Sequence, residues 1–446
     1  FMLGFLEKYP QFAKNDFYIT GESLLFALVV LASANRVNLP EFGDEVSHAG
    51  YIQTNAEHNG NLFYWFFESR NEPSTDPLVL WMTGGPGCSS ELAAVFENGP
   101  YVFDENQGTP AFNPHSWNNN ASVIYIDQPY QVGYSYTDDD DYYIDNEAEV
   151  GAEMWKFMLG FLEKYPQFAK NDFYITGESF GGHYVPAFGA YVVEQMAQGN
   201  DSINLKGIAV GNGWVSPKVQ YGAYGPFGYD NGLITEDKLT SMNSTFDKCS
   251  KLIDLKLWDL ANAVCSELMQ DVLNSAGNIN IYNIKEPCTI PGLCYNFTSE
   301  TAYFNRPDVQ KQLNVFKEHV DWEVCNMEVN EKFAKAHDVI ESTRSDIPKI
   351  LAAGLPVLIY NGKYDLICNW VGGDEWTSTM QWPGQEAFNA QKLTNWMVDG
   401  KVGGQVRSAQ NLTFLAVEAA GHMVPHDQPV FASAMINAFI SGTPIA

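Results

Sequence analysis

DFYITGESFGGHYVP, from Asp172 to Pro186, is the stretch that decides the fold. Residues 172–176 form a short, mostly apolar run, as expected of a strand covered on both faces. Residues 185–196 carry a helical pattern. Between them stands Gly177-Glu178-Ser179-Phe180-Gly181. Strand, sharp turn and helix together are the setting of a nucleophile elbow. The turn needs small residues two before and two after the serine, and it holds the hydroxyl out at the carboxyl end of the sheet. GxSxG is a weak pattern when it stands alone, and the setting is what gives it weight.

Outward from the elbow, further short apolar runs each end in turn residues. Leu78–Met82 ends at GGPG, Ser122–Ile126 at DQP, 205–210 at GNG, 355–360 at NGKYD and Leu412–Val417 at EAAGH. Helical patterns lie between them, as in 148–164. This alternation predicts an α/β layered protein with a mainly parallel sheet and helices on both faces. Between residues 216 and 302 the alternation stops. That stretch is rich in Asn, Ser and Lys and holds four of the seven cysteines, so it predicts an inserted, disulfide-stapled cap. The expected organisation is an α/β core in two parts, 35–215 and 303–446, around a cap at 216–302.

The N-terminal residues need a separate reading. FMLGFLEKYPQFAKNDFYITGES occurs twice, letter for letter, at 1–23 and 157–179. After the first copy, residues 24–31 are uniformly apolar and lead into Ala32-Ser33-Ala34. A run too short to span a bilayer, ending in small residues, reads as the core and cleavage site of a secretory signal peptide. Residues 1–23 are therefore expected to be a duplicated piece of the gene or of its assembly. Residues 1–34 are then no part of the mature fold, and the mature chain begins near Asn35. The alternative is a short buried N-terminal helix. On either reading no glycine follows Ser23 to let the backbone turn, so Ser23 is not a nucleophile.

The chain has 446 residues, 45% hydrophobic and 14% aromatic, enough for a large core. Lys+Arg 25 against Asp+Glu 54 gives a net charge of -29, which argues against nucleic acid or anionic membranes as partners. Such a balance suits an acidic compartment and general solubility equally. Beyond Leu31 no apolar run is long enough to span a membrane, so stable insertion is not expected. The seven cysteines are Cys88, Cys249, Cys265, Cys288, Cys294, Cys325 and Cys368. Behind a signal peptide most should pair, leaving one over, and spacing alone allows many pairings. No zinc-type spacing occurs, and no metal or cofactor is expected. Sequons at Asn120, Asn200, Asn243, Asn296 and Asn411 agree with secretory passage.

A nucleophilic serine needs a base, and the base needs an orienting acid. In the order Ser, acid, His, Asp365 follows the run at 355–360 and His422 follows Leu412–Val417. His426, in HMVPH, is the rival; His422 is preferred because it comes first off the strand. His337 lies in a polar, helix-like stretch. An oxyanion hole requires backbone N–H groups. The turn Thr83-Gly84-Gly85-Pro86-Gly87-Cys88 can supply one, and the N–H of Phe180 a second.

Several motifs in fixed order resemble those of the serine carboxypeptidases. They are WMTGGPGCSS from Trp81, DFYITGESFGGHYVP from Asp172, GNGWVSP from Gly211, YNGKYDLICN from Tyr360 and GHMVPHDQP from Gly421. The resemblance runs from about Val46 to the C-terminus, with the cap least alike. It implies an α/β-hydrolase fold and removal of C-terminal residues from peptides and proteins under acid conditions. It implies Ser179 as nucleophile, Asp365 as orienting acid, His422 as base, and Gly85 and Phe180 as the oxyanion hole. The substrate's terminal carboxylate would be gripped at Thr83, Gly84, Glu97 and Glu178. At Thr83 the family has Asn, so strict C-terminal selection is less assured than catalysis. The same resemblance implies disulfides Cys88–Cys325, Cys249–Cys265 and Cys288–Cys294, with Cys368 a free thiol. The lumen of the secretory pathway, the cell exterior or a vacuole or lysosome is the expected location. Acyl transfer, esterase action, or a non-catalytic role protecting partner enzymes are the alternatives. Both a monomer and a homodimer agree with the sequence.

Overall fold

The computed structural model describes residues 35–103, 108–139, 141–316 and 320–445. The segment 1–34, with the signal-like core and Ser23, lies outside the described residues. Contacts cluster into two units, Phe1–Arg36 and Val37–Ala446, and the second holds the fold that follows.

Among the described residues the main sheet has eleven strands. Ten of them position the site: β1 (Ser47–Asn55), β2 (Gly60–Phe67), β3 (Leu78–Met82), β4 (Ser122–Ile126), β5 (Phe173–Glu178), β6 (Leu205–Gly211), β7 (Val357–Gly362), β8 (Thr394–Val398), β9 (Lys401–Ala409) and β10 (Leu412–Val417). They lie in the order β1-β2-β4-β3-β5-β6-β7-β10-β9-β8. The central six, β4 to β10, are parallel, and both margins are antiparallel.

The sheet carries apolar side chains on both faces. In β3, Leu78, Leu80 and Met82 enter one core cluster, while Val79 and Trp81 enter the other. β4 divides likewise, Ile124 and Ile126 against Val123 and Tyr125. This explains the unbroken apolar runs in the sequence, since a strand covered on both sides has no polar face to show. Helices Glu147–Lys164 and Gly181–Ala197 cover the first face, and Pro429–Ile440 covers the second. Glu147–Lys164 starts where the Asn146 side chain accepts from the Glu149 N–H (3.1 Å) and buries Val150, Met154, Phe157, Met158 and Phe161 at helical spacing.

After β6 the chain enters three helices, Pro217–Asp230, Glu236–Asp254 and Trp258–Ala276. They share a separate hydrophobic cluster that includes Tyr224, Met242, Leu268 and Val272 and reaches Leu366, next to Asp365. The disulfides are Cys88–Cys325, Cys249–Cys265 and Cys288–Cys294, and Cys368 is free and buried. Cys249–Cys265 clamps two cap helices together. Cys88–Cys325 fixes the glycine-rich turn after β3, where the Asn326 N–H also donates to the Gly87 carbonyl (2.8 Å).

Candidate active site

β5 ends at Glu178, and the next helix begins at Gly181. Ser179 between them has φ +62°, a left-handed conformation that costs a non-glycine residue about 1–3 kcal/mol. Its carbonyl accepts from the N–H of Trp214 (2.8 Å) and of Gly182 (2.9 Å), and its own N–H donates to Gly211 (3.1 Å). The flanking glycines have a specific cause. A Cβ at Gly177 would lie 2.5 Å from the Met82 carbonyl oxygen, and one at Gly181 would lie 2.8 Å from it. Small residues are required because the end of β3 passes against the elbow on both sides of Ser179.

Asp365 and His422 come from the carboxyl ends of β7 and β10. Asp365 is fully buried, and its Oδ2 accepts from Asn212 Nδ2 (2.7 Å), the Cys368 N–H (3.2 Å) and His422 Nδ1 (2.9 Å). With Nδ1 so engaged, His422 Nε2 has no hydrogen-bond partner among the described residues. It lines the same cavity as Ser179, although no direct bond joins the two. The backbone N–H of His422 donates to Tyr282 of the cap (2.7 Å), whose ring packs 5.2 Å away. His426 faces elsewhere: its ring stacks on Phe96 at 4.1 Å and its Nδ1 meets the Phe96 carbonyl (3.1 Å). Asn212 was not singled out in the sequence. Its signal was the Gly211-Asn212-Gly213 turn at the end of β6, on the same sheet edge as the other strand ends.

The turn after β3 approaches the elbow closely. A Cβ at Gly84 would lie 2.3 Å from the Phe180 nitrogen. Gly85 takes φ +111° and Gly87 +97°. Among the described residues the N–H groups of Gly85 and Phe180 donate to no backbone carbonyl, and both residues line a cavity beside Ser179. Two cavities of about 200 Å³ each flank Ser179.

One of these holds Thr83, Glu97, Glu178 and His422. Glu97 and Glu178 are both buried and hydrogen-bonded to each other, and the Oε2 of each has no further partner among the described residues. Burial pushes Glu97 up to about 7, against smaller opposing pulls from its bond to Glu178 and from His422. Burial, then the charge of Glu97, raises Glu178 well above the usual carboxylate range. Two buried carboxyls in contact must share at least one proton. Thr83 Oγ1 accepts from the Trp81 indole N–H (2.9 Å), which leaves its own proton free to donate. Nothing in the sequence marks this contact with Trp81.

Among the described residues only Asp365, Cys368 and His422 bring metal-type ligand atoms within 4.8 Å of one another. Asp365 Oδ2 and His422 Nδ1 are already bonded to each other.

Residues 40–442 match the family model described as serine carboxypeptidase. Serine carboxypeptidase S10 family member 1 of Dictyostelium discoideum is 39% identical over 420 residues, covering 94% of this chain and 99% of that protein. Carboxypeptidase Y of Komagataella phaffii is 37% identical over 442 residues, covering 96% and 82%. A solved prohormone-processing carboxypeptidase from Saccharomyces cerevisiae superposes with a TM-score of 0.82 at 24% identity, over 92% of this chain and 96% of that one, and so supports the fold.

Proposed function

Because the chain belongs to the serine carboxypeptidase family, we propose that it releases C-terminal residues from peptides and proteins in acid through an acyl-enzyme on Ser179. The observation that carries the reading is one cavity holding both a partner-free His422 Nε2 and the shared-proton pair Glu97–Glu178 next to Ser179. Ser179 Oγ adds to the scissile carbonyl carbon as its proton passes to His422 Nε2. Asp365 keeps the ring in the tautomer that leaves Nε2 open and steadies the imidazolium. The N–H groups of Gly85 and Phe180 receive the oxyanion. On collapse the C–N bond breaks, and His422 returns the proton to the departing amine. Water then repeats the steps and frees the shortened peptide. Thr83, the backbone of Gly84, Glu97 and Glu178 hold the substrate's terminal carboxylate.

The division into core segments 35–215 and 303–446 with a cap at 216–302 belongs to the same proposal, as does passage through the secretory pathway. Exposure of all five sequon asparagines supports that passage. No helix among the described residues is long and apolar enough to cross a membrane.

A fluorophosphonate probe combined with a peptide-ladder assay tests the reading. Ser179 labelling with stepwise C-terminal trimming is expected. Labelling without trimming would favour acyl transfer or esterase action, which the hydroxyl at Thr83 in place of an amide makes the next reading. No labelling would point to a binding role.

A further inference from the structure

Between the last cap helix and Cys288, residues 281–284 form a short non-helical segment that bonds to two catalytic loops. One loop follows β7 and carries Asp365; the other follows β10 and carries His422. The carbonyl of Ile281 accepts from the N–H groups of Leu366 (3.0 Å) and Ile367 (3.2 Å), just after Asp365. The Ile284 N–H donates to the carbonyl of Tyr364 (2.9 Å), just before it. Tyr282 accepts from the His422 N–H (2.7 Å). Asp365 is thus bracketed on both sides, and His422 is bonded to the same short segment. The two loops also meet directly, where the Tyr364 N–H donates to Ala420 (2.8 Å) and in the Asp365–His422 bond.

Two side chains lock this segment in place. Asp427 Oδ2 accepts from the Gly421 N–H (2.5 Å) and from Asn283 Nδ2 (3.3 Å). It therefore ties the residue before His422 to the residue after Tyr282. The Asn283 amide is oriented for this bond, because its Oδ1 accepts from the Lys285 N–H (3.1 Å). Gly421 shows how closely the two stretches of chain pass. A Cβ there would lie 2.3 Å from the Tyr282 carbonyl oxygen and 2.8 Å from Asn283 Cβ. The segment is also braced from within. Asn280 Oδ1 accepts from the Tyr282 N–H (2.9 Å), the Asn280 N–H donates to Glu286 (2.8 Å), and the Glu286 N–H donates to Asn283 (2.9 Å). Asn280 and Asn283 are both buried, so the amides that shape the segment have little water to compete for them.

We propose that residues 281–284 are a strap that sets the spacing of Asp365 and His422, with Asn283 and Asp427 as its positioning residues. The inference rests on Asp365 and His422 being the acid and base of the reaction proposed above, and not on which bond is cut. The cap then completes the geometry that the strand ends begin. A shift of the strap moves His422 relative to Ser179, and a displacement of about 1 Å can cost about a hundredfold in rate. Neither Asn283 nor Asp427 lines the cavities beside Ser179. Asp427 does face Glu97, Glu178, Asp365, His422, His426 and Tyr295. Esters without a free carboxylate therefore separate the strap from the glutamate pair.

The test uses the full chain, an N-acyl amino acid methyl ester, a peptide, and the rate of fluorophosphonate labelling, which reads the base whatever the substrate. Asn283→Ala and Asp427→Ala should each lower ester kcat and labelling about tenfold to a hundredfold, with ester KM within about twofold of wild type. Asp427→Asn keeps an acceptor oxygen for Gly421 and Asn283 and should recover most of that loss. Asn283→Asp sets two carboxyls against each other, which share a proton in acid and repel once both ionise. Its labelling rate, divided by that of wild type at the same pH, should be near one at about pH 4.5 and about tenfold or more lower at about pH 7.5. The ratio cancels the titration of His422 and its other neighbours, and one protein compared at two pH values controls for misfolding. Wild-type labelling in Asn283→Ala would overturn the proposal, as would an Asn283→Asp ratio that does not change with pH. If Asn283→Asp does not fold, the Asp427 pair decides, and equal losses in Asp427→Ala and Asp427→Asn would overturn it. These losses in esters, with no peptide trimming by wild type, leave the strap standing and remove the carboxypeptidase reading. Trimming with a pH-independent Asn283→Asp ratio does the reverse.

Discussion

At the scale of single residues, orientation separates His422 from His426, four positions apart in one short segment. His422 gives its Nδ1 to Asp365, whereas His426 lies flat on Phe96. Ser179→Ala is expected to abolish turnover and labelling. His422→Ala should cost about 10⁴-fold or more in kcat, and His426→Ala less than tenfold; equal losses would reassign the base. Asn212 fixes Asp365 through a bond to a carboxylate, worth about 1.5–3 kcal/mol, so Asn212→Ala should lower kcat about tenfold to a hundredfold at unchanged peptide KM. Glu97 and Glu178 give a pH prediction. A protonated member of the pair donates a hydrogen bond to the substrate carboxylate, and the ionised pair repels it. With Glu97 pushed up to about 7, peptide binding should hold below that pH and weaken as pH rises through it. Peptide KM should therefore climb on the alkaline side, while esters without a free carboxylate escape the climb. Glu97→Gln with Glu178→Gln should flatten the peptide profile and spare ester hydrolysis. A double variant with the wild-type profile would mean the carboxylate is held elsewhere.

At the scale of elements, the elbow is a meeting of two strand ends, and its glycines answer to backbone. Gly84→Ala would drive a methyl group into the Phe180 nitrogen, and Gly177→Ala into the Met82 carbonyl. Overpacking of this kind costs about 1–3 kcal/mol. Each variant should lower the urea midpoint, and Gly84→Ala should also slow fluorophosphonate labelling of whatever remains folded. Unchanged labelling in Gly84→Ala would detach the turn from the oxyanion hole. These same elements were the legible ones. β3, β4 and β10 begin and end where the apolar runs do, because strands buried on both faces are uniformly apolar and stop at turn residues. The antiparallel margins went unread. β2 is equally apolar and opens at Asn59-Gly60, a hairpin signal, but it ends in no turn motif with a chemical signature. β8 and β9 are half exposed, so their patterns are mixed. Within the site, residues with a chemical signature were legible. Asn212, Trp81 and Tyr282 were not, because only folding shows what an ordinary side chain or carbonyl touches.

At the scale of the whole molecule, buried acids recur. Besides Glu97–Glu178, Asp127 is hydrogen-bonded to Glu91 and takes the N–H groups of Ser90 (3.2 Å) and Tyr134 (2.8 Å). Asp338 and Glu147 are buried close to each other, and the charge of Asp338 adds to the rise of Glu147. Burial is the first cause in every case. It raises Glu91, Glu147 and Glu178 well above the usual range, raises Asp127, and carries Glu97 and Asp338 to about 7. The sign of the consequence is fixed. A carboxyl whose pKa is higher folded than unfolded binds more protons in the native state between those two values, so stability falls as pH rises there. Below about pH 4 this contribution is complete, and it is lost as pH climbs through 7. For Glu97 alone it is on the order of a few kcal/mol. The net charge of -29 acts in the same direction, because self-repulsion grows as surface carboxylates ionise. Salt separates the two, since it screens exposed charges and barely reaches a buried pair. Thermal midpoints should therefore be higher at pH 4.5 than at pH 7.5, and most of the gap should persist in 0.5 M salt. Glu91→Gln with Asp127→Asn removes one titrating pair that does not itself line the Glu97–Glu178 cavity and should narrow the residual gap while the alkaline climb of peptide KM remains. A gap that vanished in salt would assign the acid preference to surface repulsion and leave the buried pairs no part in it.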